Sequence, residues 1–435
     1  MIVTLLLALS AQAGTSSTST STADQIDYLK AQIADLELRL TAVEGSSIDD
    51  SPFRFTGYVD VGFFWARGNG SGVVEDFGHR LAPELGQQWV FLGDLLSTAV
   101  NSRGEAADLG LLPGVQRFDG IHSRGAPGFI LNAVNFSLAV RLRDRLFITT
   151  SLDVVPRTGA DFDLGDFLDL DLAQLEWTVD DTGNFVVFLG KITPVIGIEY
   201  RERKSTERFG ITPSLIARYT TGTVLGLKAR AKLFDEALVL AASVTNGGAG
   251  TEQFHFYDET DSNAGKTAAA RIAGRLPLDR WLAEASTQLE IGFSGEVGSQ
   301  NRARDSEGIA WAFGVDVLYM GVDLRVKAQF LKAESPGRPE DDVYSLKLNA
   351  GALLEVDYNV TGHVGVMVRG EIRDALVGLD SRRIYRTQGW RLTIGARFTI
   401  IPDVVLKLEY LKNGEYGVVP EIDNDVMTSS LVLSY

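Results

Sequence analysis

The sequence predicts an all-β fold: a transmembrane antiparallel β-barrel of about sixteen strands, preceded by a short N-terminal coiled-coil helix. Three observations carry that expectation. From Phe53 to Tyr435, apolar and polar side chains alternate with a period of two, in segments of about ten residues. The polar faces of those segments bear full charges of both signs, as a wet interior would. The connections between segments alternate short and long without a break. A soluble sandwich also alternates, but it keeps its charges outside and has comparable loops at both ends.

Composition removes several other classes. Of 435 residues, 45% are hydrophobic, yet no stretch approaches the roughly 20 apolar residues of a spanning helix. Cysteine is absent, so no disulfide framework, CxxC pair or thiolate zinc site can form. Lys and Arg total 41 against 57 Asp and Glu, and the net charge of -16 argues against a nucleic-acid partner.

Taken in order, residues 1–13 read as a signal peptide: an apolar run from Ile2 to Leu9 precedes the small-x-small site Ala11-Gln12-Ala13. Residues 14–23 are a polar, low-complexity linker. Over 24–44, Ile26, Leu29, Ile33, Leu36, Leu40 and Val43 follow the 3, 4, 3, 4, 3 spacing of a heptad seam, and Gly45 supplies a stop. A helix this short is marginal alone, so a self-associating coiled coil is expected, on the periplasmic side of an outer membrane.

The barrel is expected over 53–435. Its first segment sets Phe53, Phe55, Val59, Val61, Phe63 and Trp65 against Arg54, Thr56, Tyr58 and Asp60. Further segments start near residues 128, 146, 168, 185, 223, 237, 267, 286, 309, 322, 344, 363, 389, 404 and 426. In the second, Ile130, Val134, Phe136, Leu138, Val140 and Leu142 form the apolar side. A bulge is expected near Leu172-Ala173. Short turns such as Arg143–Arg145, Phe234–Glu236 and Ile401–Asp403 define one rim; longer polar loops at 246–266, 333–343, 374–388 and 413–425 define the other. The segment 68–127 either folds into the mouth or covers it. Aromatics near segment ends, among them Trp65, Trp177, Trp390 and Tyr410, suit interfacial girdles. The ending SLVLSY resembles the terminal strand that the outer-membrane assembly machinery recognises.

The third long loop, 193–222, is basic: Arg201, Arg203, Lys204, Arg208 and Arg218 stand against Glu199, Glu202 and Glu207. The next segment adds Lys228, Arg230 and Lys232 on its polar face, one every second residue. If that loop narrows the lumen, Arg201, Arg203, Lys204, Arg208 and Arg218 form the constriction, and Lys228, Arg230 and Lys232 form a ladder along which anions pass. Arg271, Arg275, Arg325, Lys327, Arg369, Arg373, Arg391 and Arg397 continue the basic lining, opposed by Asp60, Asp171, Glu290, Asp316 and Glu355.

Leu189-Gly190-Lys191, then Pro194-Val195-Ile196-Gly197-Ile198-Glu199, the basic run and Gly226 resemble the phosphate-selective porin family of Gram-negative outer membranes. Ile192 and Ile196 stand where that family carries Phe. The resemblance implies a sixteen-stranded, trimeric, passive channel in outer-membrane lipid for small hydrophilic solutes and ions; the basic loop and ladder bias it to small anions, phosphate among them. The alternative is a structural barrel that tethers the envelope through its coiled coil. An enzyme is not expected: His79, His122, His255 and His363 lie in different regions and no GxSxG occurs. GNGSG and NGGAG lack a following helix and the Walker Lys, so they read as turns, with no cofactor implied. The Asp-rich loops have no EF-hand spacing and imply no metal.

Overall fold

The computed structural model describes residues 52–67, 73–76, 89–92, 127–154, 168–193, 195–248, 265–278, 287–298, 309–335, 345–378, 383–419, 421 and 423–435. The signal peptide, linker and coiled coil expected over 1–44 lie outside the described residues, as does most of 68–127. Among the described residues the sheet holds eighteen strands. In chain order they are β1 Phe53–Ala66, β2 Val73–Asp76, β3 Trp89–Leu92, β4 Gly128–Arg143, β5 Leu146–Val154 and β6 Leu168–Thr178. Next come β7 Phe185–Ile192, β8 Val224–Leu233, β9 Leu238–Thr245, β10 Thr267–Pro277, β11 Gln288–Gly298 and β12 Ala310–Met320. The last are β13 Leu324–Ser335, β14 Ser345–Asn359, β15 Val364–Gly378, β16 Arg383–Ile401, β17 Val404–Glu415 and β18 Val426–Ser434. Apart from the short β2 and β3, sixteen strands pair antiparallel, each with its neighbours in sequence, and β1 closes the circle by pairing with both β4 and β18.

Closure follows from the solvent. Inside a bilayer no water satisfies a strand edge, so a sheet that crosses must have none. The side chains are accordingly inverted relative to a soluble core. Phe53, Phe55, Phe129, Trp177, Phe293, Trp390 and Tyr410 are exposed on the outer face, while Asp60, Arg271, Glu290, Lys327 and Arg373 are buried within. At the seam Gly57 and Tyr435 exchange backbone hydrogen bonds of 3.1 and 3.0 Å. The Tyr435 phenol covers Gly57, whose missing side chain makes room for it, and its ring packs on Phe55, which in turn stacks on Phe136.

Two bulges aim polar groups inward. Between β1 and β4 the register shifts at Asp60/Val61, leaving Asn132 as an extra residue whose amide donates to Asp60 at 3.0 Å. The shift also corrects the expected face of β4: Phe129 and Leu131 are the exposed positions, out of step with Phe136 and Leu138. Between β5 and β6 the extra residue is Asp171, next to the expected position, and it is buried in the lumen.

The expected loop 374–388 is corrected. β15 runs to Gly378 and β16 begins at Arg383, so strand occupies most of the expected loop. Polar residues such as Asp374 and Arg386 stand there in strand beside buried Ala375 and Leu376, so the apolar-polar alternation lapses and the segment reads as loop. β2 and β3 form a hairpin from 68–127, and β3 pairs in parallel with Arg383–Arg386 of β16, at the edge that β17 does not reach.

Candidate functional site

Residues 193–223, hereafter L3, connect β7 to β8 and enter the barrel, with single 3-10 turns at Glu199–Arg201 and Ala217–Tyr219. Their apolar side chains explain why. Ile196, Ile216 and Tyr219 bury themselves against Leu331, Ala333, Leu348 and Ala375, which face inward from β13, β14 and β15. The lumen therefore contains an apolar patch that L3 covers, which removes that surface from water.

The wall also grips the L3 backbone. The Gly197 amide donates to Ser294 Oγ at 2.9 Å, Ile198 to Gln329 Oε1 at 2.8 Å and Leu215 to Glu371 Oε1 at 2.7 Å. Gly197 has a φ of +68°, and a side chain there would press on Gln329.

Ion pairs complete the attachment. Arg201 meets Glu290 at 2.7 Å, and Glu290 also binds Arg271 at 3.0 Å and Arg275 at 2.8 Å. Glu202 binds Arg325 at 2.5 Å and Lys327 at 2.7 Å; Lys327 and Arg369 share Glu355. Arg203 pairs with Asp171 and donates through Nε to the Thr221 carbonyl at 2.7 Å. Lys204 donates to Ser137 Oγ at 2.9 Å. Arg208 is buried; its Nη1 donates to the Arg203 carbonyl at 3.1 Å, while Nε and Nη2 have no hydrogen-bond partner. Four of the five expected constriction residues are thus in the lumen, each on a different wall or on L3 itself; the side chain of Arg218 lies outside the described residues.

Between the arms 199–210 and 213–223 lies a narrow cleft of about 50 Å³. Arg203, Lys204, Arg208, Lys327 and Arg369 line it, and so do Asp153, Asp171, Glu199, Glu202 and Glu355. The loop is basic, as its sequence indicates, but the walls supply carboxylates that oppose it. Burial pushes the Glu199 carboxyl up to about 7. Its Oε2 accepts a hydrogen bond from Ser214 Oγ at 2.6 Å. Burial pulls the Arg208 guanidinium below its ordinary value.

The expected ladder lies on the lumen face of β8. Lys228 donates to the carbonyl and hydroxyl of Thr193 at 3.0 and 2.9 Å, tying the first residue of L3 to the wall. Its Nζ lies 4.6 Å from the Phe188 ring centre, and the Arg230 guanidinium lies 5.5 Å from the same ring. Lys232 pairs with Glu236 at 2.5 Å on the short-turn rim. The side chains that grip L3 from β11, β13 and β15 had no distinguishing mark in the sequence, because each is one polar residue among many on an alternating strand.

No family model matches the sequence, and no curated protein matches it. Among solved structures the fold is similar to the outer membrane channel DcaP of Acinetobacter baumannii, at 11% identity over 88% of this chain and 97% of that one, with a TM-score of 0.51. It is also similar to OprB of Pseudomonas putida, at 10% identity over 88% and 94% of the two chains, with a TM-score of 0.50. At this identity the likeness establishes a porin-type barrel and nothing finer. It gives no support to the phosphate-selective family in particular.

Proposed function

We propose that the chain is a passive channel of a Gram-negative outer membrane, passing small hydrophilic solutes and ions with a bias toward anions. The observation that carries this reading is the charged cleft inside a closed barrel whose outer face is apolar. A lumen filled by side chains alone would need no inward-folded loop and no cleft between its arms. The bias rests on Arg203, Lys204 and Arg208 beside the cleft and on Lys228, Arg230 and Lys232 below it. Phosphate is one anion that such a lining would accept. A homotrimer, with the helix of 24–44 in the periplasm, completes the proposal. Liposomes containing the purified protein are expected to swell in an isotonic solution of a small sugar; liposomes that stay intact would refute passive transport.

A further inference from the structure

We propose that Lys407 and Glu409, neighbours on the lumen face of β17, are the positioning residues of the constriction, holding the 205–212 bend of L3 and so fixing the width of the passage. The inference rests on the reading of L3 as the channel's constriction. Lys407 Nζ donates to three carbonyls, those of Ser205 at 2.6 Å, Arg208 at 2.7 Å and Gly210 at 2.9 Å. That uses every proton of the ammonium. The acceptors converge because residues 204–208 make one helical turn, in which the Glu207 and Arg208 amides both bond the Lys204 carbonyl. The carbonyls at the end of such a turn have no partner of their own and favour a cation.

Glu409 does the opposite two residues further along β17. It accepts hydrogen bonds from the Ile211 amide at 2.6 Å, the Thr212 amide at 3.0 Å and the Thr212 hydroxyl at 2.7 Å. A cation under carbonyls and an anion under amides together read the direction of the peptide. Reversing the peptide at this place would bring amides to Lys407 and carbonyls to Glu409. Gly210 lies between the two contacts, and a Cβ there would collide with the Glu409 carboxylate. By contrast Ser294, Gln329 and Glu371 each take a single L3 amide. The bend held in this way carries Arg208 and follows directly on Lys204, and both line the cleft.

The test uses the full chain, in Lys407→Met, Lys407→Arg and Glu409→Gln variants, with folding checked by the heat-dependent gel shift of an intact barrel. In planar bilayers, Lys407→Met is expected to raise the mean single-channel conductance about twofold and to add current noise from a loop that opens locally. Lys407→Arg, which keeps donors and charge, is expected to return both toward wild type, and Glu409→Gln to fall between. Since the protein has no cysteine, Ile211→Cys offers a readout that needs no current. Ile211 is buried, so a membrane-impermeant maleimide is expected to react slowly with this variant and about tenfold faster when Lys407→Met is added. Equal labelling rates, or a folded Lys407→Met channel with wild-type conductance and noise, would overturn the inference. Loss of all current in the wild type would instead overturn the channel reading, and the labelling rates would still decide the role of Lys407.

Discussion

Asp171 provides the sharpest test of how the cleft sorts ions. Its carboxylate lines the cleft and pairs with Arg203, whose guanidinium is held separately by the Thr221 carbonyl. Asp171→Asn keeps the shape of the bulge and removes one negative charge, leaving Arg203 in place. An ion passing about 5 Å away feels that charge with about 0.8 kcal/mol in water-like surroundings. Screening at about 0.1 M salt, with a Debye length of about 10 Å, reduces this to about 0.5 kcal/mol. That is a factor of about 2.3 in favour of an anion and the same factor against a cation, so the permeability ratio moves about fivefold toward anions. Reversal potentials under a tenfold potassium chloride gradient measure the ratio directly. Arg203→Gln is expected to move it by a similar amount in the opposite direction. A ratio that changes less than about twofold in both variants, or that moves toward cations in Asp171→Asn, would mean that ions avoid the cleft.

Further outcomes follow from the same geometry. The Glu199 carboxyl, pushed up to about 7, is largely neutral at pH 6 and charged at pH 8. Anion preference is therefore expected to fall as pH rises through 7, and to stay at its low-pH value in Glu199→Gln. Because the folded value lies above the ordinary one, the protonated form is the stabilising form, and its contribution to stability is lost as pH rises through 7. At the seam, Gly57→Val would press on the Asn135 carbonyl and the Tyr435 ring, whereas Gly370→Val has open space around it. The first is expected to abolish the heat-dependent gel shift and the second to leave it unchanged. In the turn between β8 and β9, Phe234, Asp235 and Glu236 have φ values of 54°, 53° and 66°. Each left-handed residue costs about 1 kcal/mol, so Asp235→Gly is expected to raise the thermal midpoint in detergent and Asp235→Val to lower it.

The strands were legible because each one faces two solvents. A residue exposed to lipid and a neighbour exposed to water must differ in kind, and that difference alone places fifteen of the barrel strand starts within two residues of where they lie. The exception is β16, whose first residues, Arg383 to Gln388, do not alternate apolar with polar. Bulges were legible in part: the break near Leu172 marks Asp171, but the one at Asn132 sits among apolar residues and leaves no signature. The lumen loop was legible from its place as the third long loop and from its basic charge. Its partners were not. Arg201 reaches Glu290, Glu202 reaches Arg325 and Lys327, and the bend at 205–212 reaches Lys407 and Glu409, all across wide gaps in sequence. On an alternating strand every lumen charge looks alike, and which of them holds the loop and which faces the passage is decided only when the sheet closes.

The proposed ion path runs through the cleft between the arms of L3 and has a basic bias. Single channels of the purified protein in a planar bilayer under a salt gradient test it most directly. Stepwise conductance is expected, with a reversal potential on the anion side. No conductance, or a reversal potential on the cation side, would contradict it.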